Sequence, residues 1–227
     1  MGRIKTSLTV AATALWDVGS ISNAHTVDSA QQPASAAEFM IGAQRFRATY
    51  PAGFCLGTPQ QLKNMQALDQ ADPLSDTIAL AVPCPDGDSK EQNVYAVFKT
   101  PRQLVDSSVP LTQVIEGFSS GTVSDGDLAA YAKENGKQVS EITREKTDMD
   151  LAIKPMGKDA RCGYMGGAVT IIKETATYHA TVGICATGSS NKVILVSVYG
   201  PAGGAEEVEK RLKTAANFAD GLKPISD

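Results

Sequence analysis

Hydrophobic and polar positions follow two rhythms along this 227-residue chain, and the places where the rhythm changes mark its elements. Phe39, Ile41, Phe46 and Ala48 alternate with polar neighbours around Gly42, which predicts two short strands or one bulged strand ending at Tyr50-Pro51. Thr58-Pro59-Gln60-Gln61 predicts a helix start: threonine caps, proline takes the first turn, and Gln61 closes a capping box. Leu62, Met65 and Leu68 or Ala67 form the inner stripe of that helix, which runs to about Ala71.

Strand rhythm returns over Thr77–Pro83 and Asn93–Lys99, with a polar turn at Pro85–Gln92 between them. Pro110–Phe118 and Leu128–Asn135 read as short helices, the second capped by Ser124 and stopped by Gly136. Four strands follow: Leu151–Pro155, Gly163–Lys173, Tyr178–Thr187 and Lys192–Tyr199. The last, KVILVSVY, is apolar on both faces, as a central strand covered on both sides would be. A closing helix begins near Gly204. Glu206 and Glu207 lie in its first turn and Lys210, Arg211 and Lys213 beyond, as the helix dipole favours, while Val208, Leu212, Ala215 and Ala219 face inward. Strands arriving in succession with short links predict an antiparallel β-sheet covered by helices, an α+β fold of the α/β/α sandwich type.

Several of these segments resemble a known family. They are Tyr50-Pro51-Ala52-Gly53-Phe54 after the opening strand, the Lys192–Tyr199 strand, the loop Gly200–Gly203 and the last helix ending at Phe218. Over most of residues 38–223 they are similar to the Mog1/PsbP-like family and its bacterial DcrB-type relatives. The resemblance implies a fold used mainly as a binding or assembly platform, and it carries over no catalytic residues. It also implies export, often as a lipoprotein, although no cysteine stands near the expected cleavage point here.

The chain ends change the compartment. Arg3 and Lys5 precede the apolar run Ser7–Trp16, and Ser22-Asn23-Ala24 offers small residues for a signal peptidase, so residues 1–24 read as a signal peptide. Residues 25–37 are small and polar and read as a flexible tail, which leaves 38–227 as a single α+β domain. Four cysteines, Cys55, Cys84, Cys162 and Cys185, allow three pairings. The pairs Cys55–Cys84 and Cys162–Cys185 are favoured because each is local, and the second could join neighbouring strands. Together these features predict a periplasmic or secreted protein. A net charge of −4 gives no global basic field to draw nucleic acid or anionic lipid. The apolar runs are also too short for a membrane helix.

With two histidines, His25 and His179, chemistry has few places to start. Gly117-Phe118-Ser119-Ser120-Gly121 matches a nucleophile elbow, and with an aspartate among Asp148, Asp150 and Asp159 it would give a serine hydrolase using Ser119 and His179. A helix before the serine, and a histidine inside a strand, both argue against it. Cleavage after Ala24 would make His25 N-terminal, able with His179 to bind copper. Asp86-Gly87-Asp88 fails as a calcium loop, because Lys90 stands where a ligand is needed. Lys133, Lys137, Arg144 and Lys146 are interleaved with acids and read as solvated surface. No cofactor or metal follows from the sequence.

The remaining reading is a non-catalytic binding or assembly-accessory protein of the bacterial cell envelope, with a protein or small-molecule partner. Its expected contact residues are Phe54, Tyr164, Gly166 and Gly167, with the loop around Pro85. The glycines are included because a glycine-dense strand start is expected at a sheet edge open to another backbone.

Overall fold

A computed structural model describes residues 35–69, 72, 74–85, 93–120 and 125–225. The expected signal peptide, most of the expected tail, His25, the Asp86-Gly87-Asp88 turn and the Ser124 cap lie outside these residues. In chain order the elements are β1 (Ala36–Ile41), β2 (Gln44–Thr49), β3 (Phe54–Leu56), α1 (Pro59–Leu68), β4 (Ser75–Pro83) and β5 (Tyr95–Pro101). Then come α2 (Leu111–Ser119), α3 (Asp125–Thr143), β6 (Thr147–Lys158), β7 (Gly163–Lys173), β8 (Thr177–Ser189), β9 (Lys192–Pro201), α4 (Ala205–Asp220) and β10 (Leu222–Pro224).

Seven strands form an antiparallel sheet in the order β3-β4-β5-β9-β8-β7-β6. Strand β9 sits in its middle, and its alternation explains the layering. Val193, Leu195 and Tyr199 point into one core with Met65 of α1, Phe118 of α2 and Leu128 of α3. Ile194, Val196 and Val198 point into the other, with Phe218 of α4 and Phe39 and Phe46 of a small second sheet, β1-β2-β10. The fold is therefore α+β, with helices on both faces of an antiparallel sheet. No helix among the described residues is long and apolar enough to cross a membrane.

The outer strands of the large sheet are β6 and the short β3, which pairs with β4 only over Ala81–Pro83, and helices meet ladder groups of β4 beyond β3 and of β6. At one edge the β4 residue Thr77 donates its N–H to the Asp69 carboxylate at the end of α1, and its carbonyl accepts from Gln66. At the other edge Ser140 of α3 accepts the N–H of Thr147 at 2.7 Å. Gly136 makes that second contact possible, since a methyl carbon there would fall 2.8 Å from the Thr147 carbonyl oxygen. The expected stop at Gly136 is thus corrected: α3 continues to Thr143, and the glycine serves close helix–strand approach.

Other expectations hold in detail. Thr58 and Gln61 form the reciprocal capping box on α1. Both favoured disulfides are present, with Cα–Cα separations of 5.0 Å for Cys55–Cys84 and 5.2 Å for Cys162–Cys185. One helix residue departs from its expected environment. Arg211 is buried and pairs with Glu207 at 2.9 Å, because it lies on the face of α4 that packs against Gly200 of β9 and Gly183 of β8.

Candidate functional site

The turn between β6 and β7 carries a compact polar corner built on Asp159. One carboxylate oxygen accepts the backbone N–H groups of Arg161, at 2.7 Å, and Cys162, at 2.9 Å. The other accepts the Tyr164 hydroxyl at 2.8 Å and the Arg161 guanidinium at 3.1 Å. Arg161 reaches on to Asp220 at the end of α4, and its carbonyl accepts from Thr187 of β8 at 2.8 Å. The Cys162–Cys185 disulfide fixes the same turn to β8. Desolvation alone would raise the Asp159 pKa, but the Arg161 N–H, the Tyr164 hydroxyl, the Cys162 N–H and the guanidinium outweigh it and hold the carboxyl down at about 2. Desolvation and the bond to Asp159 push the Tyr164 hydroxyl up to about 12, so it remains a donor at neutral pH.

Phe54 stands near the end of the same helix. Its ring meets Phe218 edge-on at a centroid distance of 4.9 Å, and Phe218 in turn meets Tyr50 and Phe98. The adjacent Cys55 is tied to Cys84, whose N–H donates to the Gly53 carbonyl. Phe54 and Tyr164 are both half-buried and belong to one packing cluster around α4. The structure therefore brings these two expected contact residues to one side of the sheet.

It places the two glycines differently. Strand β7 lies between β6 and β8, so the expected open edge at Gly166 and Gly167 is corrected. A methyl carbon at Gly166 would fall 2.7 Å from Val208 of α4, and one at Gly167 only 1.9 Å from the Ala152 carbonyl oxygen. The backbone approach that the glycines signal is made by the chain's own elements.

The hydrolase arrangement is not assembled. Ser119 ends α2 and donates to the Glu116 carbonyl, and α2 packs at the start of β7, where Gly163 meets Ile115 and Phe118. His179 is exposed on β8, its Nδ1 at 3.2 Å from the Thr170 hydroxyl. Thr170 lies seven residues along β7 from Gly163, roughly 23 Å at strand rise. Lys133, Lys137 and Lys146 line a groove of about 730 Å³ between α3 and β6, alternating with Glu134, Glu141 and Asp148. Arg144 is exposed nearby in sequence.

A second polar cluster has no counterpart in the sequence reading. Lys99, in the apolar strand β5, is buried against Asp69 and Asp72 on the far side of β4. The available signal was a lysine closing the otherwise apolar run Val94–Phe98. Its partners lie 27 and 30 residues earlier, beyond any local pattern.

No family model matches the sequence, and no curated protein matches it. Among solved structures, the chain is similar to the solution structure of cyanobacterial PsbP (CyanoP) from Synechocystis sp. PCC 6803. The identity is 13%, the match covers 87% of this chain and 96% of that one, and the TM-score is 0.37. The likeness expected from the sequence is present as a weak resemblance.

Proposed function

We propose that this chain is a non-catalytic binding or assembly-accessory protein of the bacterial cell envelope, working outside the cytoplasm. Its contact surface is the corner formed by Tyr164, Asp159 and Arg161 together with Phe54 and the loop around Pro85. One observation carries the reading: each expected aromatic contact stands beside a disulfide. Phe54 precedes Cys55 directly, and Tyr164 follows Cys162 by two residues, so both rings are held on cross-linked backbone. A surface fixed in this way loses little conformational entropy on binding, which is how rigid recognition surfaces gain affinity. Two disulfides in one domain also fit an oxidising compartment.

The test is site-specific photo-crosslinking in the exporting cell. A photoreactive residue placed at Tyr164 or Phe54 is expected to give the same discrete adduct in the envelope fraction. The same probe at His179, on the opposite end of β8, is expected to give none. Equal labelling at all three positions, or recovery of the chain reduced in the cytoplasm, would overturn the proposal.

A further inference from the structure

The Lys99 cluster has the parts of a bond-forming site. Lys99 Nζ lies 3.1 Å from Asp69 Oδ1 and 2.8 Å from Asp72 Oδ2, and the three side chains are 1%, 6% and 1% exposed in that order. Asp69 closes α1, Lys99 belongs to β5, and β4 runs between them. Each oxygen of Asp69 already holds a donor from Thr77: Oδ2 accepts the backbone N–H, and Oδ1 accepts the hydroxyl at 2.8 Å. Asp72 is held separately, by the N–H groups of Leu74 and Ser75 on Oδ1 and by the Ser75 hydroxyl on Oδ2.

We propose that Lys99 and Asp69 condense into an intramolecular isopeptide bond, with Asp72 carrying the protons. Asp72 Oδ2 takes a proton from the Lys99 ammonium and passes it to Asp69 Oδ1, and the freed amine attacks Cγ of the resulting carboxylic acid. Thr77 N–H stabilises the oxyanion that develops on Asp69 Oδ2, as preorganised donors do in acyl transfer. Asp72 then carries a second proton from the nitrogen to Oδ1, and Oδ1 leaves as water. One C–N bond forms, one C–O bond breaks, and ammonium plus carboxylate become amide plus water, with no oxidant or activated reactant.

Two physical arguments favour the step. Fixed contact between nucleophile and carboxyl replaces a bimolecular encounter, which is worth many orders of magnitude in effective concentration. A buried ion pair also carries a large desolvation cost, and the amide product carries no charge. After condensation the Asp72 carboxylate no longer faces an ammonium and is held by its hydrogen bonds from Leu74 and Ser75.

Tryptic mass spectrometry of the full, reduced and denatured chain tests this directly. The expected result is that trypsin fails to cut after Lys99 and that fragment 64–90 emerges joined to fragment 91–102, one water lighter than their sum. The bond should map to Asp69. In Lys99→Arg the fragments should separate and the missing water should return. Separate, unmodified fragments from the wild-type chain would overturn the proposal, and so would a bond mapped to Asp72. Because the wild-type measurement decides the matter, poor folding of the variant does not weaken the test.

Discussion

Two clusters in this molecule have the same composition, one cation between two carboxylates, and opposite surroundings. Lys99 with Asp69 and Asp72 lies in the interior, almost without solvent contact. Arg161 with Asp159 and Asp220 lies on the surface, with side chains 46%, 37% and 51% exposed. Coulomb attraction at similar distances means different things in the two places, because water screens one and not the other. The interior cluster therefore governs stability and can support bond chemistry. The surface cluster shapes a corner and leaves its charges exposed to solvent.

Removing the cation from each cluster separates the two roles most sharply. Lys99→Met leaves Asp69 and Asp72 buried with no amine to pair or condense with, and a loss of about 3–5 kcal/mol is expected in urea unfolding. Replacing Lys99, Asp69 and Asp72 together by apolar residues of similar volume should cost less than Lys99→Met alone, since no buried charge is then stranded. A triple variant less stable than the single one would show that the hydrogen bonds from Thr77 and Ser75 dominate instead.

The disulfides test whether the surface corner owes its shape to covalent support. Cys162 and Cys185 are 23 residues apart in sequence, and replacing both by alanine is expected to cost about 3 kcal/mol in the chain-entropy view. The loss should be accompanied by faster hydrogen exchange at the N–H groups of Arg161 and Cys162, which the Asp159 carboxylate holds. Unchanged exchange there would mean that the Asp159 bonds alone set the turn.

The contrast also explains what could be read from the sequence. Local rhythm was sufficient for β7, whose expected bounds Gly163–Lys173 match the structure, and for the capping box of α1. It failed where a residue's role is decided across the fold. Gly136 carries a stop signal in sequence, yet contact with Thr147 makes it a packing position. Arg211 sits among charged helix residues, yet packing against Gly200 of β9 and Gly183 of β8 buries it. Of the candidate corner, Tyr164 and Phe54 were visible as aromatics beside cysteines and the partners of Asp159 lie within five residues of it, whereas Asp220 meets Arg161 only when the end of α4 reaches the β6–β7 turn. The Lys99 cluster depends on three separate elements and no motif encodes it.

A smaller effect is expected at Arg161. Arg161→Met removes two half-exposed ion pairs and should lower stability by under about 1 kcal/mol, with part of that gap closing in high salt. A loss comparable to that of Lys99→Met would mean that the corner is drier than its exposure indicates.

The smallest predicted effect belongs to the titration of Asp159. Its carboxyl is held at about 2, below the ordinary value of 3.8, so the folded state favours the ionised form. The stabilisation is complete above the ordinary value and is lost as pH falls from about 4 through about 2. Because the site is largely solvated, the amount should be about 0.5 kcal/mol or less. Other carboxylates titrate in the same range, so the informative quantity is the difference between wild type and Asp159→Asn. That difference in urea midpoint should be present at pH 7 and should have largely closed at pH 2, where about half of the folded-state Asp159 carboxyls have become protonated and uncharged like asparagine. Parallel curves across the range would show that the bonds from Arg161 and Cys162 act on the neutral side chain as strongly as on the carboxylate. The corner would then be a steric device with no electrostatic part.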